Sequence, residues 1–204
     1  MNYNLFENQK FTKILTVVVF AVIIVFAFKE TQSSVDKTNE EIKNLPSDVY
    51  VKEYKINKIN ITTDSVPIEI NNDNEKNNVV VKVHARVDKT YKVKQDGNTL
   101  DLEFNKTSCS GLCLQEEKII VSLPTSYNLD FNISGDNTKV DIATINMVKH
   151  STINLKKGTI NIKSLPNTYT ITNIDKGKVK INDNNEDADK VLEIFGSEVD
   201  ITIN

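Results

Sequence analysis

Few residues of this 204-residue chain have the type and spacing to do chemistry. Cys109 and Cys113 are its two cysteines, and they bracket Ser110-Gly111-Leu112. In an oxidising compartment an even count reads as a disulfide closing a tight loop; in a reducing one the pair stays as two thiols. Two sulfurs are too few for a structural zinc site, and neither His84 nor His150 is near them in sequence. Asp183, Asn185, Asp187 and Asp189 alternate as calcium-loop ligands do. Ala188 replaces the glycine of such a loop, and Ile194 stands where its closing Glu belongs. A solvated loop is the plain reading of residues 183–189, with weak ion binding as the alternative. His84 shares the polar face of its segment with Lys82 and Arg86, and His150 precedes Ser151. Isolated histidines of this kind are ordinarily surface residues. No Gly-x-Ser-x-Gly motif and no phosphate loop is present. The sequence therefore assigns no catalytic residue, no metal and no cofactor.

Charge and hydropathy narrow the partners. The formal net charge is −3, which leaves no basic footprint for nucleic acid. Residues 14–28 (ILTVVVFAVIIVFAF) carry no charge. As a helix they span about 22 Å at ~1.5 Å per residue. Phe11 and Thr12 extend the run, and Lys13 and Lys29 can snorkel, so a thin bilayer is crossed. Lys10 and Lys13 precede it, which places residues 1–13 in the cytoplasm and the bulk of the chain outside. Two rivals stand. One is a cleaved signal peptide with Val25-Phe26-Ala27 as its site, giving a secreted protein. The other is a buried core helix, for which a β-repeat chain has little use.

The segments beyond the apolar run say what positions any site. Residues 29–47 are a polar linker. From residue 48 the apolar period becomes two. Ile59 and Ile61 alternate, as do Val66, Ile68 and Ile70, and then Val79, Val81, Val83, Ala85 and Val87. Asp96-Gly97-Asn98 is a hairpin signal between Tyr91, Val93 and Leu100, Leu102, Phe104. Ile119, Val121 and Leu123 form a strand stopped by Pro124. Residues 128–204 then repeat about every twenty residues. Val140-Asp141-Ile142 returns as Ile160-Asn161-Ile162, Val179-Lys180-Ile181 and Val199-Asp200-Ile201, with Gly135, Gly158, Gly177 and Gly196 ahead of the strands. Apolar residues point inward and Asn, Lys, Asp or Thr outward throughout, as in a sheet with one wet face. Each unit is too short to bury a core alone, so units stack. The alternative is an antiparallel sandwich. Val140, Ile142, Ile160, Ile162, Val179, Ile181, Val199 and Ile201 are the expected core.

Ile59-Asn60-Ile61 with Val66-Pro67-Ile68-Glu69-Ile70, the strand from Val79, Leu100-Asp101-Leu102, Ile120-Val121-Ser122-Leu123-Pro124 and Ile133-Ser134-Gly135-Asp136 together resemble a bacterial putative-adhesin family of β-strand repeats, of unknown function. The resemblance covers residues 48–204. It implies a β-solenoid outside the membrane, akin to accessory proteins of envelope-stress systems, and brings no catalytic residues.

The organisation expected is thus all-β. A transmembrane segment (14–28) and a linker (29–47) lead to a β-region (48–127) and a β-repeat region (128–204), forming an extracytoplasmic solenoid. The function expected is non-catalytic binding of an envelope protein or cell-wall polymer. An adhesin-like surface protein is the alternative; a glycan-acting enzyme is the third reading, and the scattered acidic residues argue against it. Residues 199–203 close the repeats without a capping helix. They form either an open docking edge for a second copy or an envelope protein, or an inner strand that an earlier one folds back to cover. The thiols give the first test. If Cys109 and Cys113 are bridged, unfolded unreduced protein takes up no alkylating reagent and reduced protein takes up two equivalents. Full labelling without reductant, in protein taken from outside the membrane, removes the bridge.

Overall fold

The computed structural model describes residues 48–85, 91–105, 117–182 and 184–204. The apolar segment 14–28, the linker, Cys109, Cys113 and Asp183 lie outside the described residues. Among those described, no helix is long and apolar enough to cross a membrane. The elements are β1 (Asp48–Tyr54), β2 (Lys58–Asp64), β3 (Ile68–Asn72), β4 (Val79–Ala85), β5 (Tyr91–Asp96), β6 (Thr99–Asn105), β7 (Lys118–Leu123), β8 (Asp130–Asp136), β9 (Thr138–Thr144), β10 (His150–Ser164), β11 (Thr168–Lys176), β12 (Val179–Ile181) and β13 (Lys190–Ile203). All belong to one curled sheet. The hairpin signal is realised: β5 and β6 pair antiparallel across Gly97-Asn98.

Most of the sheet is a stack of parallel rungs. The first half of β10 pairs with β8 and its second half with β9. The same division recurs along the stack, with β2 beside β8 and β3 beside β9. A rung is therefore one stretch of chain with two arms. The alternation shows where it bends. In β8 the odd residues Phe131 and Ile133 are buried, and in β9 the even residues Val140 and Ile142. In β10 Ile153 and Leu155 give way to Ile160 and Ile162, and in β13 Leu192 and Ile194 to Val199 and Ile201. A straight strand keeps its parity, because side chains alternate with period two. A switch in parity with both arms on one core requires a corner, and the cluster of buried residues does contain both arms.

Four of the corners sit at residues with unusual backbone. Ser65 and Asn137 adopt φ of 58° and 51° between the arms of their rungs. Gly158 and Gly177 adopt φ of 148° and 138°. At these glycines the backbone of the next rung comes so close that an added Cβ would lie 1.9 Å from the carbonyl oxygen of Thr138 or of Val199. No other residue fits there.

Register makes the core. On one arm Leu102, Ile61, Ile133, Ile153 and Ile194 stand opposite one another on successive rungs. On the other arm Ile119, Ile68, Val140, Ile160 and Ile201 do the same. All ten are buried. Each contributes roughly 1.5–3 kcal/mol by leaving water. At one end β1, β4 and β5 run antiparallel to their neighbours. Tyr50 and Tyr54 share a short hydroxyl contact there, and Tyr91 packs 5.6 Å from Tyr50 and 6.2 Å from Phe104. Burial, with the Tyr50 hydroxyl beside it, pushes the Tyr54 phenol far above its usual range.

The second reading of residues 199–203 holds, and the expected core is corrected: β13 lies between β10 on one side and β11 and β12 on the other. Ile160 and Ile162 stand opposite Ile201 and Ile203, and Gly158 stands opposite Val199. Residues 199–203 are thus an inner strand, covered by the earlier strands β11 and β12. Consequently Val179, expected in the core, falls on the last rung and is 46% exposed, with Ile181 half-buried. The other six expected core residues are buried.

Substitutions should separate these environments. Ile162→Asp buries an unpaired charge and should cost about 3–5 kcal/mol, and Gly158→Ala about 2–4 kcal/mol. Asn161→Asp and Val179→Asp should each cost less than about 1 kcal/mol. Equal losses across the four in denaturant titrations would contradict the assignment.

Candidate binding surface at the terminal rung

The outer face of the first arm carries polar residues in the same register as the core. Asp101, Asn60, Asn132 and Thr152 are successive partners across β6, β2, β8 and β10. Their side chains touch in series. Asn60 donates to Asp101 over 2.7 Å, the Asn132 carboxamide lies 2.9 Å from that of Asn60, and the Thr152 hydroxyl is in hydrogen-bond contact with the Asn132 carboxamide at 3.0 Å. A parallel row has Thr62 and Ser134 in hydroxyl contact at 3.2 Å. On the second arm Asn161 donates to Asp141 over 2.8 Å. Fixed side chains of this kind present a flat, rigid polar surface whose ordering entropy is already spent on folding.

The terminal rung breaks the pattern. In β11 the buried residues are Thr168 and Thr170, while Tyr169 is half-buried and Ile171 is 41% exposed. Tyr169 and Ile171, expected inward, face outward instead, while Ile174 further along packs against the core. They meet the outward residues of β13, with Tyr169 opposite Val191, and Asn173 opposite the 38% exposed Phe195. Glu193 lies within the patch and sits 3.4 Å from His150. The physical reason is position. An end rung has a neighbour on one side only, so inward apolar residues there gain less burial and hydroxyls are tolerated.

Among the described residues β11 and β12 pair only with β13, so one open edge of the sheet lies here; β1 and β5 are its other edge strands. One part of it is closed by a side chain. The Asn184 amide donates to the Thr170 carbonyl over 3.0 Å, and its oxygen accepts the Thr170 N–H over 2.7 Å. Both groups that a further strand would use at Thr170 are occupied. Inside this corner lies a cavity of about 540 Å³, with Thr168 and Thr170 on one wall and Ile203 on another.

The sequence model of the Toastrack DUF4097 family matches residues 56–203. The chain belongs to this family. Similar solved structures include a putative cell adhesion protein from Clostridium sporogenes, 11% identical, covering 78% of this chain and 99% of that one with a TM-score of 0.49. Putative adhesins from Bacteroides fragilis and Parabacteroides merdae are each 14% identical. Each covers 78% of this chain, with 98% and 82% of their own lengths matched and TM-scores of 0.28. No curated protein matches the chain.

In this toastrack fold the residues singled out in the sequence are placed as follows. His84 and Lys82 are half-buried on β4, between its buried valines. His150 is exposed at the start of β10. Asn185 uses its side-chain oxygen to accept the Asp187 N–H over 3.1 Å, and its carbonyl accepts the Ala188 N–H over 3.1 Å, so this segment is a turn. Among the described residues no three of His, Cys, Asp and Glu cluster as metal ligands would. Sequence reasoning missed Asn184, Thr168 and Thr170. The signal was present in β11, where Thr-Tyr-Thr-Ile can be read in either phase.

Asn184→Ala should remove both bonds to Thr170 and cost about 1–2 kcal/mol. It should also open the edge, so that light scattering shows new, concentration-dependent association. Unchanged stability and unchanged association would show that Asn184 protects nothing.

Proposed function

We propose that this toastrack protein is a non-catalytic binding module of the bacterial cell envelope, held to the membrane by residues 14–28 with the β domain outside. The observation that carries the reading is the outer face of the first arm. Asp101, Asn60, Asn132 and Thr152 form a continuous row of polar side chains in register and in contact. Such a face is built to be touched over a length rather than to enclose a reacting atom. The anchor rests on the uncharged run with Lys10 and Lys13 before it. Its partner is a component of the envelope, a protein or a wall polymer, and self-association belongs to the β11 and β12 edge.

A second reading, an adhesin-like surface protein, draws on the outward patch of Tyr169, Ile171, Val191 and Phe195. Exposed apolar groups gathered in one place gain by leaving water against a partner.

Topology is the test. Added protease should remove the β domain from intact cells, and cross-linking of those cells should join it to envelope material. A domain that survives until lysis overturns the reading. Mature protein beginning at Phe28 selects the secreted form instead.

A further inference from the structure

The cavity at the terminal rung has a composition that the rest of the chain does not predict. Charged residues make up 26% of the sequence, yet none of the ten residues lining this space has a charged side chain. Hydroxyls and carboxamides provide the polar part, from Thr168, Thr170, Asn184 and Asn185 among others, and Leu165 and Ile203 provide apolar wall. Its size, about 540 Å³, is that of an ordinary small-ligand pocket.

Thr170 is the decisive residue. Its partner on the next rung, Leu192, is a core residue. Thr170 is 5% exposed and lines the cavity. Its backbone groups are taken by Asn184, but its side-chain hydroxyl makes no hydrogen bond among the described residues. That hydroxyl is not sealed inside the protein; it opens on the cavity, where a ligand can bond it. Thr168 beside it bonds only weakly, donating to the Pro166 carbonyl over 3.3 Å.

We propose that this cavity binds a neutral glycan, one or two sugar units of an envelope polysaccharide. The proposal rests on the envelope-binding reading and names its substrate class. A sugar ring offers hydroxyls to the threonines and amides and a C–H face to Leu165 and Ile203. An anionic polymer finds no cation in the lining. A peptide entering by strand addition is turned away at Thr170, because Asn184 already holds both backbone groups there.

The test uses the full chain in a detergent without a sugar head group, which would otherwise compete. Maltotriose and triacetylchitotriose serve as neutral probes and trigalacturonate as the charged one, with binding read by calorimetry. At least one neutral probe should bind saturably and trigalacturonate should not. Thr170→Val and Asn185→Ala should each weaken binding by about tenfold or more with the melting temperature unchanged. Asn185 is exposed, so its variant carries the test alone if Thr170→Val lowers the melting temperature. No neutral binding up to ~10 mM, equal binding of trigalacturonate, or full binding by the variants overturns the proposal. Sedimentation with envelope fragments separates the two failures. Parent and variants co-sedimenting alike leaves the envelope reading standing and removes the cavity; a parent that binds no fragment removes the reading itself.

Discussion

Register between parallel rungs is the constraint on which everything else depends. Ile133 faces Ile61 on one side and Ile153 on the other, and Asn132, one residue earlier, faces Asn60 and Thr152. The same alignment thus stacks isoleucines inside and amides outside. A slip of one residue would place amides in the core and isoleucines in water, losing both at once. The outer row costs little beyond what the core already requires, because side chains that core packing has aligned lose little further entropy in bonding to each other.

The corners turn this register into a closed shape. Each rung must reverse its parity so that both arms bury apolar residues in one core. At four corners the reversal uses a residue with uncommon φ, and at Gly158 and Gly177 it also needs a missing side chain, because the neighbouring carbonyl occupies that space. Distance between rungs is therefore set by backbone contact at the corner as well as by side chains in the arms.

The departures from the pattern concentrate where the repetition stops. Inner rungs satisfy their edges and their apolar residues on both sides. The last rung cannot, and the chain resolves this in three ways: threonines turn inward, apolar residues turn outward beside Phe195, and Asn184 takes the edge groups of Thr170. The cavity and the outward patch are products of that single termination.

The sequence by itself determined the class of fold, the glycine corners and the inward face of most strands. These follow from local rules: a period of two, and glycine where φ and space forbid a side chain. Local pattern could not choose among rungs that look alike. Ile160-Asn161-Ile162 fits Val179-Lys180-Ile181 and Ile201-Thr202-Ile203 equally well by hydropathy, and only the whole stack placed the latter beside it. That choice buried residues 199–203, exposed Val179 and moved the open edge of the repeats to β11 and β12. It also decided the phase of β11, since Thr-Tyr-Thr-Ile alternates either way and burial on the last rung is one-sided. Identity of neighbours is a property of tertiary packing, and the candidate site consists of residues defined by the neighbour they lack.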